Sequence, residues 1–375
     1  MLRNLLELPR TRPLPDPVLT PPAPEPDACR MDGGILLGRG QRWDPEALPN
    51  AHLVCVGHSG SGKTQTLKAI AHALGEAYAG RIRVIVIDFH GDQEVRGEIC
   101  YALHRASPHG INPLRPSLDP EGGGPGLQAL AVVASCRRAL RLGPSQEGVL
   151  LQAFKEVYAR AGMSDDDPAT WERPAPTFAS LETLIDEWAE GGDGCDREAA
   201  RLRLKLLATF QYGVFSRPQP AFEARHVRLD LSKLPPAIAR IAAESLARQL
   251  MSEHRLAGEI AGRLPRTFLL IDEAKEMPAL AGSACDRIIA DGRKYGLALV
   301  LASQSERHLS REVIANSATK IVLPVDQTEV RRVAAKFRFP ESRLAALRPL
   351  TALCRFGLAA VEVEIWPYYQ RPEEE

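Results

Sequence analysis

The sequence predicts an α/β fold with a mostly parallel central sheet and an all-α insertion. Three observations predict it. Short runs such as Ile82–Ile87 (IRVIVI) are almost continuously apolar and β-branched, the mark of strands covered on both faces. Segments with helical spacing separate these runs. Between about residues 120 and 225 the strand-like runs stop and helical patterns continue alone.

The bulk numbers agree with a large core. The chain has 375 residues, 45% hydrophobic and 25% charged, the composition of a globular protein. Lys+Arg and Asp+Glu are equal at 47 each, so nothing global advertises nucleic acid. No apolar run approaches the roughly 20 residues of a membrane span. The short apolar start, Met1–Leu8, is followed by Pro9, Pro13, Pro15 and Pro17, which excludes a secretory signal. Seven scattered cysteines without a C-x-x-C pair read as reduced thiols, so a cytoplasmic location is expected.

In chain order, residues 1–33 read as a disordered leader, with eight prolines between 9 and 26. The expected domain is 34–375. It opens with a short strand at Ile35–Leu37 and a loop at Asp44–Asn50. His52–Val56 is a buried strand, and Leu67, Ile70, Ala71 and Leu74 then fall on one helical face. Ile82–Ile87 is the next strand. The insertion at about 120–225 holds helices at Leu127–Leu142, Glu147–Tyr158, Leu181–Ala189 and Arg197–Phe210, divided by breaks at Glu121–Gly126 and Gly191–Gly194. Helices at Pro236–Leu256 and Cys285–Tyr295 alternate with strands at Phe268–Ile271, Leu297–Ala302 and Lys320–Leu323. There is no internal repeat.

Between the first buried strand and its helix stands GHSGSGKT, residues 57–64, matching G-x-x-x-x-G-K-[ST] without deviation. Gly57, Gly60 and Gly62 let the backbone curl so that N–H groups converge on one anion, and His58, Ser59, Ser61 and Gln65 complete the cradle. Lys63 reaches the outer phosphates, the Thr64 hydroxyl ligates Mg²⁺, and the following helix adds its positive end. The expected ligands are ATP and Mg²⁺.

A second constellation fits the same chemistry. Thr267–Glu273 (TFLLIDE) is an apolar strand ending in two carboxylates, as a Walker B segment does. Asp272 is the candidate for the metal shell, and Glu273 the candidate that polarises the attacking water. Gln304 ends another buried strand and is a candidate sensor of the γ-phosphate or the water. Asp88 ends Ile82–Asp88 at the ligand-binding edge of an open sheet, which makes it a metal candidate. His90 beside it is either part of that network or an ordinary hydrogen-bonder. Arg293 lies at a helix end before Gly296. It either complements the helix dipole or serves as an arginine finger for a neighbouring copy. The clusters Arg137-Arg138, Arg331-Arg332 with Lys336 and Arg338, and Arg201, Arg203 and Lys205 read as solvated helix faces rather than phosphate tracks.

Set in order, GHSGSGKT, VIDFHGD, INPL (Ile111–Leu114), LLIDEAKEM, IIADGRKYGLALVLASQ and IANSATKIVL resemble the HerA/FtsK superfamily, nearest the HerA-like branch and related to type IV secretion ATPases. The resemblance runs from about Gly34 to the C-terminus. It implies a RecA-like P-loop NTPase core with the Gln304 strand between the two Walker strands. It also implies a homo-hexamer that hydrolyses ATP between subunits and moves DNA, with a nuclease or other effector as partner. By that resemblance Lys63, Thr64, Asp272, Glu273 and Gln304 take the roles above, and Arg293 looks like the finger. The chain departs from the family pattern twice. Only about 50 residues precede the phosphate loop, so the usual N-terminal barrel is expected to be absent or vestigial, and Lys275 stands where histidine is frequent. A HerA-type DNA translocase or helicase is therefore the first expectation. A secretion or conjugation ATPase and a slow ATP-gated scaffold are the alternatives.

Overall fold

Strands buried on both faces require helices on both faces, and that requirement organises the molecule. The structure is a computed structural model and describes residues 33–191, 196–278 and 282–371. The leader expected at 1–33 lies outside them, apart from Gly33. Strand β1 (Ile35–Gly38) pairs antiparallel with β2 (Gln41–Trp43). Then β3 (Leu53–Val56) leads through the glycine loop into α1 (Lys63–Ala77), followed by β4 (Arg83–Asp88) and β5 (Ile99–Ala102). Four helices follow: α2 (Pro125–Leu140), α3 (Pro144–Arg160), α4 (Phe178–Glu190) and α5 (Asp196–Tyr212). The chain returns to the sheet through β6 (His226–Asp230), α6 (Pro236–Leu256), β7 (Thr267–Ile271), α7 (Ala284–Tyr295) and β8 (Leu297–Ser303). It closes with α8 (Arg311–Asn316), β9 (Thr319–Val322), α9 (Val330–Phe337), α10 (Glu341–Ala345), β10 (Thr351–Phe356) and β11 (Ala359–Glu364).

Among the described residues one sheet has nine strands in the order β11-β10-β9-β3-β8-β7-β4-β6-β5. From β9 through β5 every neighbouring pair is parallel, and β10 and β11 extend the β9 edge antiparallel. Strand β8 lies between β3 and β7. The two faces follow from period-two alternation. Leu53, Cys55, Val84, Val86, Phe268 and Leu270 pack toward α1 and the β1–β2 hairpin. Val54, Val56, Ile85, Ile87, Leu269 and Ile271 face the opposite way, toward α6 and α7. The hairpin is tied down by Trp43, whose indole N–H donates to Thr319 Oγ1 at 2.9 Å.

The sequence reading contained neither β5, β6 nor the β10–β11 hairpin. The reason is visible in β6: Val227 and Leu229 alternate with His226, Arg228 and Asp230. Arg228 is buried, so a pattern that looks half-polar is enclosed and ion-paired. The INPL segment anchors the helical stretch. Asn112 donates to Pro176 O and its own carbonyl accepts from Gln249 Nε2 on α6.

Candidate nucleotide site

Parallel strands leave their carboxyl ends on one edge, and short loops there collect side chains from residues distant in sequence. At the end of β3 the chain turns through Gly57. An added Cβ there would lie 2.5 Å from Ser61 Oγ and 2.8 Å from Leu323 Cβ. Gly62 has φ 104°, a backbone open to glycine and strained for other residues, and a Cβ on it would meet the Leu350 side chain at 2.6 Å. The loop closes on itself: Ser61 N–H donates to His58 O at 3.2 Å, and Lys63 Nζ donates to the same carbonyl at 3.2 Å. Ser61 Oγ is buried without a hydrogen-bond partner. Burial lowers the pKa of the Lys63 ammonium, with only partial compensation from Glu273 and Asp92. A glycine-built loop at the start of α1 with a buried, unpartnered hydroxyl and a desolvated ammonium fits a polyphosphate. Of the remaining loop residues, Ser59 and Gly60 are exposed, and Gln65 Oε1 accepts from Tyr369 N–H at 3.4 Å.

Strand β7 delivers the acids. Asp272 is buried and accepts from Phe89 N–H at 3.1 Å through Oδ1. Burial, then the charge of Asp88, raises its pKa well above the ordinary carboxylate range. Its neighbour Glu273 is also buried. Its Oε2 accepts from Gln304 Nε2 at 3.0 Å and lies 3.6 Å from Lys275 Nζ and 3.9 Å from His90 Nε2. Its Oε1 is buried with no partner. Gln304 therefore bridges β8 to the end of β7, and Lys275 places a cation beside the same carboxylate.

Asp88 has a different environment from its neighbours. Oδ1 accepts from His90 and Gly91 N–H at 3.0 and 2.7 Å, while Oδ2 accepts from Gln93 N–H and Arg228 Nη1 at 3.0 and 3.1 Å. Its lone pairs are turned to the loop and to β6. The acid that meets the Thr64 hydroxyl is Asp92, whose Oδ2 accepts from Thr64 Oγ1 at 3.3 Å. Asp88, Asp92 and Asp272 each bring one oxygen within 4.8 Å of the others. Asp92 and Asp272, with the Thr64 hydroxyl, are the oxygens suited to a hard divalent cation, whereas Asp88, expected as a metal ligand, has both oxygens taken by its own loop and by Arg228. Sequence reasoning did not single out Asp92, although it sits four residues after Asp88 in the block already chosen. It missed Arg228 altogether, because its strand was not recognised.

Arg228 is the hub behind the site. It donates to Glu98 Oε1 at 2.7 Å and to Asp88, and lies 3.7 Å from Asp230 Oδ2. Burial works against its charge, but the hydrogen bond and charge of Glu98 outweigh that and raise its pKa. Arg293 is elsewhere. It is exposed on the last turn of α7, beside Asn50, His52 and Lys320 at the amino ends of β3 and β9. The basic clusters are largely paired with acids: Arg137 with Glu147, Arg201 with Glu198, Arg203 with Asp186, and Arg332 with Glu306 and Glu329.

The strand order and the loop after β3 define the class: an α/β fold of the RecA-like P-loop NTPase type, shared by VirB4 and TrwB proteins. No family model and no curated protein matches the sequence. Solved structures match the fold. VirB4 of Thermoanaerobacter pseudethanolicus superposes with a TM-score of 0.73 at 20% identity, covering 89% of this chain and 97% of that one. The plasmid coupling protein TrwB bound to ADP and Mg²⁺ gives 0.58 at 17% identity, covering 90% and 91%. The same protein with the ATP analogue ADPNP gives 0.62 at 16% identity over the same shares. At these identities the likeness carries the fold. No helix among the described residues is long and apolar enough to cross a membrane.

Proposed function

We propose that this chain is an ATP-hydrolysing motor of the conjugation and secretion type, acting at subunit interfaces of a ring. One observation carries the reading: Lys63, Gln304 and Glu273 stand at the carboxyl ends or loops of the adjacent strands β3, β8 and β7. In this reading the loop from Gly57 to Thr64 binds the phosphates. Lys63 recovers its charge against them. Thr64, Asp92 and Asp272 hold Mg²⁺, which supplies charge neutralisation when bound, and Asp88 holds the loop that carries Asp92. Glu273 accepts the proton of the attacking water, and its unmatched Oε1 is the acceptor for it. Gln304 holds Oε2 still and reports on the phosphate. The likeness to VirB4 and to TrwB, described as a conjugative coupling protein, favours a conjugation or secretion substrate over the HerA-type helicase first expected. A hexamer, a non-DNA or DNA-protein substrate and an effector partner belong to the proposal.

The test is Mg²⁺-dependent ATP hydrolysis by the purified chain, with and without single-stranded or duplex DNA. Glu273→Gln is expected to retain nucleotide and to lose about 10²–10⁴-fold in turnover. Stimulation by DNA in the wild type returns weight to the HerA reading. Tight ATP retention with no turnover in the wild type refutes the motor and leaves an ATP-gated scaffold.

A further inference from the structure

We infer that the groove where α2, α6 and α7 meet is a docking site for an acidic, leucine-bearing helical segment of a partner protein. The groove has a volume of about 530 Å³. One wall is apolar and wet. Leu118, Leu127, Leu130 and Leu256 are 40%, 55%, 52% and 47% exposed, and they make up four of the nine exposed large hydrophobic side chains among the described residues. Such side chains gathered on one face mark an interaction surface, whereas scattered ones do not.

The floor has an excess of basic groups: Arg115, Arg138, Arg248, Arg255 and Arg287 line it against Asp119, Glu253 and Asp291. Burial, then the charges of Arg248 and Arg255, lowers the pKa of Arg287, which has no ion pair among the described residues. Arg138 is lowered as well, by burial with Arg248 among the like charges, and its Nε and Nη2 are buried without hydrogen-bond partners. Glu244 beneath them is the main counter-charge: it accepts from Arg248 at 2.8 Å and lies 3.9 Å from Arg138. A negative ligand placed here relieves that repulsion.

One feature selects a peptide over nucleic acid: no aromatic side chain lines the groove, so bases have nothing to stack on. Asp119, Glu253 and Asp291 also line it, so the carboxylates of a ligand must be spaced to meet the arginines and avoid these acids. Alternating carboxylates and leucines match both walls, in the manner of an amphipathic helix laid in a groove with arginine and apolar anchors.

The probe is a fluorescein-labelled helical peptide of roughly four turns, with leucines at i, i+3, i+4 and i+7 spacing and glutamates between. Anisotropy with the full chain should show saturable binding. A matched peptide with lysine for glutamate should bind about tenfold or more weakly, and so should the acidic peptide to Arg287→Glu. Leu127→Asp, whose side chain is the most exposed of the four, supplies a second variant with the same expected loss and an unchanged melting temperature. Absence of binding overturns the inference. Equal binding of the lysine peptide, or full affinity in both variants, does the same. Displacement of the peptide by a short single-stranded oligonucleotide of comparable affinity makes the groove a phosphate site instead. ATP turnover does not enter the measurement, so failure here leaves the motor reading untouched.

Discussion

Arg228 organises the acidic half of the site without belonging to it. Asp88 turns both side-chain oxygens toward its own loop and this guanidinium, and that loop in turn gives Phe89 N–H to Asp272 and sets Asp92 beside Thr64. Removing the guanidinium leaves Asp88 and Glu98 buried without a counter-charge, a loss on the order of 3–5 kcal/mol. Arg228→Met should therefore lower the melting temperature and raise the Mg²⁺ concentration needed for half-maximal ATP hydrolysis, with Arg228→Lys intermediate. An unchanged Mg²⁺ midpoint in a folded Arg228→Met protein contradicts the positioning role. At the same scale, Gly62 has no tolerant replacement, since a side chain meets both Leu350 and an unfavourable φ of 104°. Gly62→Ala should weaken ATP binding by about tenfold or more, measured by nucleotide titration.

Among the elements, the sheet has a chemical polarity. The carboxyl edge collects the loop glycines, Asp272, Glu273 and Gln304. The amino edge holds neutral histidines. His52, just before β3, accepts Leu299 N–H at 3.0 Å on Nδ1. His254 on α6 bonds Tyr295 O and Thr267 Oγ1, each at 3.0 Å. His226 begins β6. Burial is the largest cause in pushing all three from 6.5 to about 4. The unfolded chain therefore takes up these protons first as pH falls, so the stability is intact above pH 6.5 and lost between 6.5 and about 4. Each group can contribute at most about 3 kcal/mol across that window. The urea midpoint should fall from pH 7 to pH 5, and less steeply in His52→Gln. A flat midpoint across that interval removes the explanation.

For the whole molecule, the position of Arg293 separates two kinds of machine. It lies near the amino ends of β3 and β9, while the phosphate loop leaves the carboxyl end of β3. The strand alone spans about 13 Å, so within one chain the guanidinium is at the wrong edge of the sheet. If it acts on ATP, it acts on a neighbour's. Arg293→Ala should bind nucleotide and fail to hydrolyse it, and mixing it with Lys63→Ala subunits should restore part of the activity. Full activity of Arg293→Ala alone leaves the residue with its plain role at a helix C-terminus.

Much of this was legible in the chain itself. The glycine loop, the apolar strands and the acids closing Thr267–Glu273 follow from local rules: backbone freedom at Gly57 and Gly62, periodicity in the strands, and the chemistry of carboxylates at a strand end. Strand β6, the Arg228 hub, the part played by Asp92 and the basic groove of α2, α6 and α7 were decided only in three dimensions. Each depends on partners more than a hundred residues apart or on different elements, such as Arg228 with Asp88 and Glu98, or Arg138 with Glu244. A buried charge is tolerable only when a counter-charge reaches it, and no spacing along a sequence announces which distant residue will.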